Sequence, residues 1–258
     1  MIEKQWNLDQ FYPIIEEAAY SICKYHPEKG KRALPFSSNK EKLEFNFISC
    51  GNRYFDSENR NRLLVIGRAS GHFQENEDWV VAYCDETGKK QVNPYAIRAS
   101  VEAELTNNMY WVQNMDNGER RKTPFFQLMK HVSRELTDGK EEWYQYIAIT
   151  NLYKFTLSTG GNPSVGLKRA QEKYMPQLLR MQLDVLKPTH ILLIVGVDEY
   201  DDKQELRPEE WYPEEFRKVI KACNAKIAVV PRPEVRKKGN KDQIKNIIDS
   251  ALKISVNL

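Results

Sequence analysis

Four short runs of apolar residues are spaced along the chain, and small, polar or proline residues follow each of them. The runs are Leu63–Gly67, Tyr146–Leu152, Ile191–Gly196 and Lys226–Val230. Apolar runs of this length without polar alternation are typical of strands that are buried on both faces, as in parallel sheets. We therefore predict four buried strands, and Asp78–Cys84 has the composition of a further strand.

Apolar residues at helical spacing fill much of the chain before, between and after these runs. The pattern predicts helices over Leu8–Tyr25, Thr123–Leu136, Gly166–Leu186, Pro213–Cys223 and Lys241–Ile254. Helices that alternate with strands predict βαβ units and a parallel sheet. We expect an α/β protein with three layers, α/β/α, around a short, four-stranded and mainly parallel central sheet.

The length of the chain suits one decorated domain, because 258 residues can bury a sizeable core. We expect a single, monomeric α/β domain over residues 1–258. Residues from about 1 to 61 are expected to form an N-terminal helical extension, and residues from about 79 to 121 an insertion.

Cysteine usage, motifs and charge exclude several classes of protein. No C-x-x-C pair is present, and neither is a metalloprotease, zinc deaminase or nucleophile-elbow motif, so we expect no metal and no other cofactor. The N-terminus lacks a signal-peptide pattern, and the apolar run Ile191–Val197 is too short to span a bilayer. We therefore expect a cytoplasmic protein without a membrane partner. The net charge of +3 neither demands nor excludes a nucleic-acid partner.

In doubly wound sheets, ligands bind beyond the carboxyl ends of the strands. The first such segment runs from Gly67 to Phe73 and contains small residues that let backbone N–H groups approach a ligand, or that simply form a tight turn. The second begins at Asn151, whose amide offers a donor and an acceptor to a nucleobase edge, or caps a turn. In the same loop, Gly160–Ser164 either binds a phosphate or connects to a helix that Ser164 caps.

A basic loop follows the last predicted strand. Arg232, Arg236, Lys237 and Lys238 stand there against the single acidic residue Glu234. Such a loop at the ligand edge of a sheet is suited to contact a phosphate backbone. The alternative is a solvated charge run that leads into a helix.

Four motifs, taken in order, resemble those of the uracil-DNA glycosylase superfamily. They are Gly67-Arg68-Ala69-Ser70-Gly71-His72, Thr123-Pro124-Phe125-Phe126, Ile149-Thr150-Asn151 with the later Lys154 and Gly161-Asn162-Pro163, and Pro231-Arg232-Pro233. A leucine-rich helix that ends at Lys187-Pro188, before the third apolar run, also resembles this family. The resemblance spans residues from about Leu63 to Ile248.

The resemblance implies that the chain excises uracil or another deaminated base from DNA, single- or double-stranded, by hydrolysis of the N-glycosidic bond. Asn151 would read the base edge and Phe125 would stack on the base. Arg232 and His72 are the candidate catalytic residues. The backbone of Gly67, Arg68, Ala69, Ser70 and Gly71 would hold water or the sugar, and Lys154, Arg236, Lys237 and Lys238 would contact the nucleic acid.

Two departures from the family pattern keep other functions open. Arg68 and Ala69 stand where the family has an acid or amide, and Arg232 stands where it has histidine. A guanidinium can stabilise a departing uracil anion, but it cannot act as a general base. The alternatives are a catalytically inactive module that binds a nucleic acid or a nucleotide on the same scaffold, and an unrelated flavodoxin-like or Rossmann-like protein.

Overall fold

A computed structural model describes most of the chain as two compact units, each assembled from separate segments. The first unit comprises Met1–Ile48, Ala69–Thr106 and Asn151–Val185, and the second comprises Ser49–Arg68, Asn107–Thr150 and Leu186–Leu258. The residues that the structure describes are 6–24, 42–69, 80–85, 87, 89–107, 109–118, 123–158, 163–195, 212–231 and 249.

Seven α-helices and nine strands lie within these described residues. The helices are α1 (Tyr12–Lys24), α2 (Pro94–Thr106), α3 (Tyr110–Asp116), α4 (Pro124–Leu136), α5 (Val165–Glu172), α6 (Met175–Leu186) and α7 (Glu214–Lys221). The strands are β1 (Lys42–Phe45), β2 (Ser49–Cys50), β3 (Leu63–Ala69), β4 (Val80–Cys84), β5 (Lys90–Val92), β6 (Ile147–Tyr153), β7 (Phe155–Leu157), β8 (His190–Val195) and β9 (Lys226–Pro231). None of these helices combines the length and apolar character that crossing a membrane requires.

The first unit contains an antiparallel sheet in the order β5-β4-β1-β7. Helix α1 packs against β4, β5, α2 and α5, and its buried face carries Ile15, Ala18, Ala19 and Ile22 at helical spacing. Aromatic rings fill the core of this unit. The Phe45 and Phe155 rings lie 4.9 Å apart between their centroids, and Phe47 contacts Phe11 at 5.2 Å.

The second sheet has five strands in the order β2-β6-β3-β8-β9. Strands β3, β8 and β9 are parallel, whereas β2 is antiparallel to β6. Strand β6 belongs to the second unit from Ile147 to Thr150, and its last three residues belong to the first unit. The core of this unit packs Leu63, Val65, Leu192 and Ile194 against buried residues of α4, and Trp143 is fully buried there.

The structure confirms an α/β protein and the positions of the four predicted strands, but β9 is only partly buried, because Lys226 is exposed and Ile227 and Val229 are half-buried. The predicted sheet is also corrected. It is a mixed sheet of five strands rather than a mainly parallel sheet of four, and the first unit has a separate antiparallel sheet of its own. Strands β1 and β2 have only four and two residues, too few to show a periodic pattern. They lie in the stretch for which the sequence predicted only a helical extension.

The helix predicted over Gly166–Leu186 is two helices, α5 and α6. Pro176 explains the break, because a proline inside a continuous helix lacks the N–H for a backbone bond and clashes with the carbonyl four residues earlier. As the second residue of α6, it is in a first turn that tolerates it. The helix predicted over Lys241–Ile254 lies outside the described residues, apart from position 249.

Candidate functional site

The four strands predicted from the apolar runs are neighbours in one sheet. Their order is β6-β3-β8-β9. The chain therefore continues from β3 to β6 on one side of the central pair β3-β8, and from β8 to β9 on the other side. In doubly wound sheets, this reversal of direction marks the crevice where ligands bind. The carboxyl ends of β3 and β8 are therefore the position that the topology selects in the second unit.

Strand β3 brings the first predicted loop to this position. Gly67 is buried in the strand opposite Ile194 of β8, Arg68 is half-buried, and Ala69 is the last strand residue. The other residues predicted here, Ser70, Gly71, His72, Arg232, Arg236, Lys237 and Lys238, lie outside the described residues. The strand that leads to the basic loop, β9, is parallel to β8 and ends at Pro231.

Phe125 lies in the first turn of α4. This helix begins as the sequence predicted, with Pro124 at its start and the Thr123 hydroxyl accepting the Phe126 N–H at 3.2 Å. Phe126 is fully buried, whereas Phe125 is half-buried at the margin of the second unit's core. A ring that is held on one side and partly open on the other is suited to stacking, and it is equally suited to covering the core.

Asn151 lies on β6 among the residues of the first unit, and it is half-buried. Its side-chain amide makes no hydrogen bond to another residue within the described part of the chain. An asparagine amide has donors and an acceptor, which suit either a ligand or water. The main-chain carbonyl of the same residue accepts a hydrogen bond from Nζ of Lys154 at 3.0 Å.

Lys154 is an interior residue. Its side chain is 0% exposed, and Nζ donates to the main-chain carbonyls of Asn151 and Phe47 at 3.0 and 3.3 Å. Burial lowers its pKa to about 7, and the nearby Glu104 carboxylate opposes that shift. The prediction that Lys154 contacts a nucleic-acid backbone does not fit this placement, because an ammonium without exposed surface cannot reach a phosphate in solvent.

Two glutamines complete the hydrogen bonding around Lys154. Oε1 of Gln171 accepts the N–H groups of Lys154 and Phe155, both at 3.0 Å, and its Nε2 donates to the Phe155 carbonyl at 3.1 Å. Nε2 of Gln182 donates to the Phe47 carbonyl at 3.2 Å. These side chains satisfy backbone groups where the chain leaves β6 and enters β7, and where it leaves β1.

Sequence reasoning missed Gln171 and Gln182, although a signal was present. Gln171 stands four residues after the buried Leu167, and Gln182 stands four residues after the buried Leu178. Each glutamine therefore lies on the apolar face of its helix. A lone polar residue on such a face is expected to have a buried partner.

The first unit also buries two carboxylates. Glu44 on β1 is 2% exposed and Glu104 on α2 is 7% exposed. Glu44 is paired with Thr156 of β7 across the antiparallel ladder, so both side chains lie on one face of the sheet. Charged groups are rarely buried without partners, so the burial of Glu44 and Glu104 is a specific feature of the first unit.

Other expected sites have simpler outcomes. Ser164 caps α5, because its hydroxyl accepts the Leu167 N–H at 3.1 Å. The alternative of a phosphate loop rests on Gly160–Asn162, outside the described residues. Within the described ranges, no three His, Cys, Asp or Glu side chains lie close enough together to hold a metal ion.

No protein-family model matches the chain, and no curated protein sequence matches it significantly.

Proposed function

We propose that this chain is a divergent uracil-DNA glycosylase-like protein that binds DNA, takes a deaminated base such as uracil out of the stack and hydrolyses its N-glycosidic bond. The observation that carries the proposal is the strand order β6-β3-β8-β9. The order makes neighbours of the strands that carry the family-like motifs. It supports a ligand site near Gly67, because doubly wound sheets bind ligands where the strand order reverses direction.

The proposed chemistry relies on electrostatic stabilisation. The bond between the base nitrogen and C1′ of the sugar breaks, and its electron pair leaves with the base. Water supplies a hydroxyl to C1′, and the proton that this water loses ends on the departed base anion. Arg232 would stabilise the departing base anion, because a guanidinium stays protonated at neutral pH. The Gly67–His72 loop would hold the water, and Asn151 and Phe125 would read and stack the flipped base.

A catalytically inactive binding module is the second candidate, and a specific observation favours it. The first loop offers Arg68 and Ala69 in place of the acid or amide that activates water in the family it resembles. Under this alternative the same residues bind a nucleic acid or nucleotide without breaking a bond.

One experiment separates these functions. The purified full-length protein is incubated with single- and double-stranded oligonucleotides that carry uracil, hypoxanthine or xanthine, and abasic sites are detected by alkaline cleavage. Fluorescence anisotropy measures binding to the same strands and to undamaged controls. Abasic sites establish the glycosylase, and binding without abasic sites establishes the module. The absence of both abasic sites and binding contradicts both.

A further inference from the structure

The hydrogen bonds of Lys154 connect it to the residue proposed to read the base. Asn151 and Lys154 are three positions apart, and Nζ folds back to the Asn151 carbonyl. The same nitrogen reaches the Phe47 carbonyl, which follows β1. One side chain therefore joins the segment that contains Asn151 to a segment that lies 107 positions away from Lys154 in the sequence.

The surroundings of this contact are rigid. Gln171 holds the backbone N–H groups of Lys154 and Phe155, so the main chain on the carboxyl side of Asn151 is fixed to α5. Gln182 holds the Phe47 carbonyl from α6. Lys154, Gln171 and Gln182 are all 0% exposed, and buried hydrogen bonds of this kind fix one conformation because breaking them leaves polar groups unsatisfied.

We propose that Lys154 is a positioning residue for base recognition. By donating to the main-chain carbonyl of Asn151, it fixes the end of β6 and thereby the direction in which the Asn151 amide is presented. This inference rests on the proposed function, because it assumes that Asn151 reads a base. It replaces the role in phosphate contact that the sequence predicted for Lys154.

The hydrogen bonds do not require the positive charge. A neutral amine still carries N–H donors, so Nζ can serve both carbonyls in either protonation state. Methionine at this position retains the length and much of the volume of lysine but removes every donor. Lys154→Met therefore tests the hydrogen bonds with little change in packing.

Lys168→Met is the matched control. Among the described residues of the first unit, Lys168 is a second buried lysine, 5% exposed on α5, and its Nζ lies 5.9 Å from the centroid of the Tyr153 ring. The substitution is the same, the unit is the same, and the proposal gives Lys168 no role in presenting Asn151.

The readout is the ratio of affinities for uracil-containing and undamaged strands, measured on folded proteins by anisotropy. Lys154→Met should reduce this ratio by about tenfold or more, because displacement of a recognition group by about 1 Å can cost up to about a hundredfold. Its affinity for undamaged DNA should stay within about twofold, and Lys168→Met should keep the wild-type ratio. Loss of the ratio in both variants would overturn the inference.

The outcomes distinguish the two proposals. A folded Lys154→Met protein that keeps the wild-type ratio overturns the inference and leaves the proposed function standing. A wild-type protein that shows no preference for uracil and forms no abasic sites overturns both.

A second measurement covers the case in which Lys154→Met does not fold. The side-chain amide of Asn151 is identified by NMR as the signal that Asn151→Ala removes, and its order parameter is measured in the wild-type protein. A value near that of rigid backbone, about 0.85, supports the inference, whereas a value below about 0.6 overturns it.

Discussion

Replacement of Lys154 by methionine should change how the stability of the protein depends on pH. In the folded protein the Lys154 pKa is lowered to about 7, mainly by burial, whereas its ordinary value is 10.5. Between these two values the unfolded chain carries the proton and the folded chain does not. The free energy of unfolding of the wild type should therefore rise with pH across this window.

The size of the effect follows from the two pKa values. One pKa unit corresponds to about 1.4 kcal/mol, so the whole window from the folded to the ordinary pKa is worth about 5 kcal/mol. At the folded pKa, the Lys154 side chain is already neutral in half of the folded molecules. The free energy of unfolding should therefore rise by about 2 kcal/mol between about pH 7 and pH 9. Below about pH 7 the buried charge is present, and its full cost persists.

Urea denaturation of both proteins at several values of pH measures this difference. Subtraction of the Lys154→Met curve from the wild-type curve removes the contributions of all other titrating groups that the substitution does not affect. The wild type should gain about 2 kcal/mol more than the variant between about pH 7 and pH 9. Parallel curves for the wild type and Lys154→Met, within about 0.5 kcal/mol, would refute the assignment of a lowered pKa to this buried amine.

Three further predictions concern other residues of the same framework. Asn151→Ala should abolish selectivity for a deaminated base and leave salt-dependent DNA binding largely intact, as measured by anisotropy; if selectivity survives, another residue reads the base. Charge reversal at Arg236, Lys237 and Lys238 should weaken binding to all sequences and flatten its salt dependence, because fewer counterions are released, and unchanged affinity would remove the basic loop from the interface. Gln171→Leu should lower the free energy of unfolding by about 2–4 kcal/mol, since two backbone N–H groups lose their acceptor. Substitution of the exposed Gln177 by leucine is its control, and equal effects of the two changes in urea denaturation would contradict a specific role for Gln171.

Long, uniform patterns in the sequence predicted most of the second sheet. The apolar runs at Leu63, Ile191 and Lys226 became the parallel strands β3, β8 and β9. Strand β3 up to Gly67 and all of β8 are buried, and strands buried on both faces need apolar residues at every position. Strand β9 is only partly buried, with Ile227 and Val229 half-buried. Helix α4 began where the sequence predicted, at Thr123-Pro124, for an equally local reason. The order of the strands, by contrast, is decided by which strands pair across long sequence distances.

The short elements depended on tertiary structure. Strand β1 is Lys-Leu-Glu-Phe, and its alternation would normally place Glu44 in solvent, yet Glu44 is buried opposite Thr156. Strand β2 has two residues and exists because β6 offers it a backbone ladder. Elements of this size have little preference of their own, and their partners determine them.

The candidate site shows the same division. The sequence by itself determined the residue types at the strand ends and the position of Asn151 on a buried strand. Whether a lysine three residues later contacts solvent or the protein interior depends on a carbonyl at Phe47 and on glutamines of α5 and α6, all distant in sequence. Burial and its effect on pKa arise only when those segments pack together, because desolvation is a property of the folded surroundings and not of the residue.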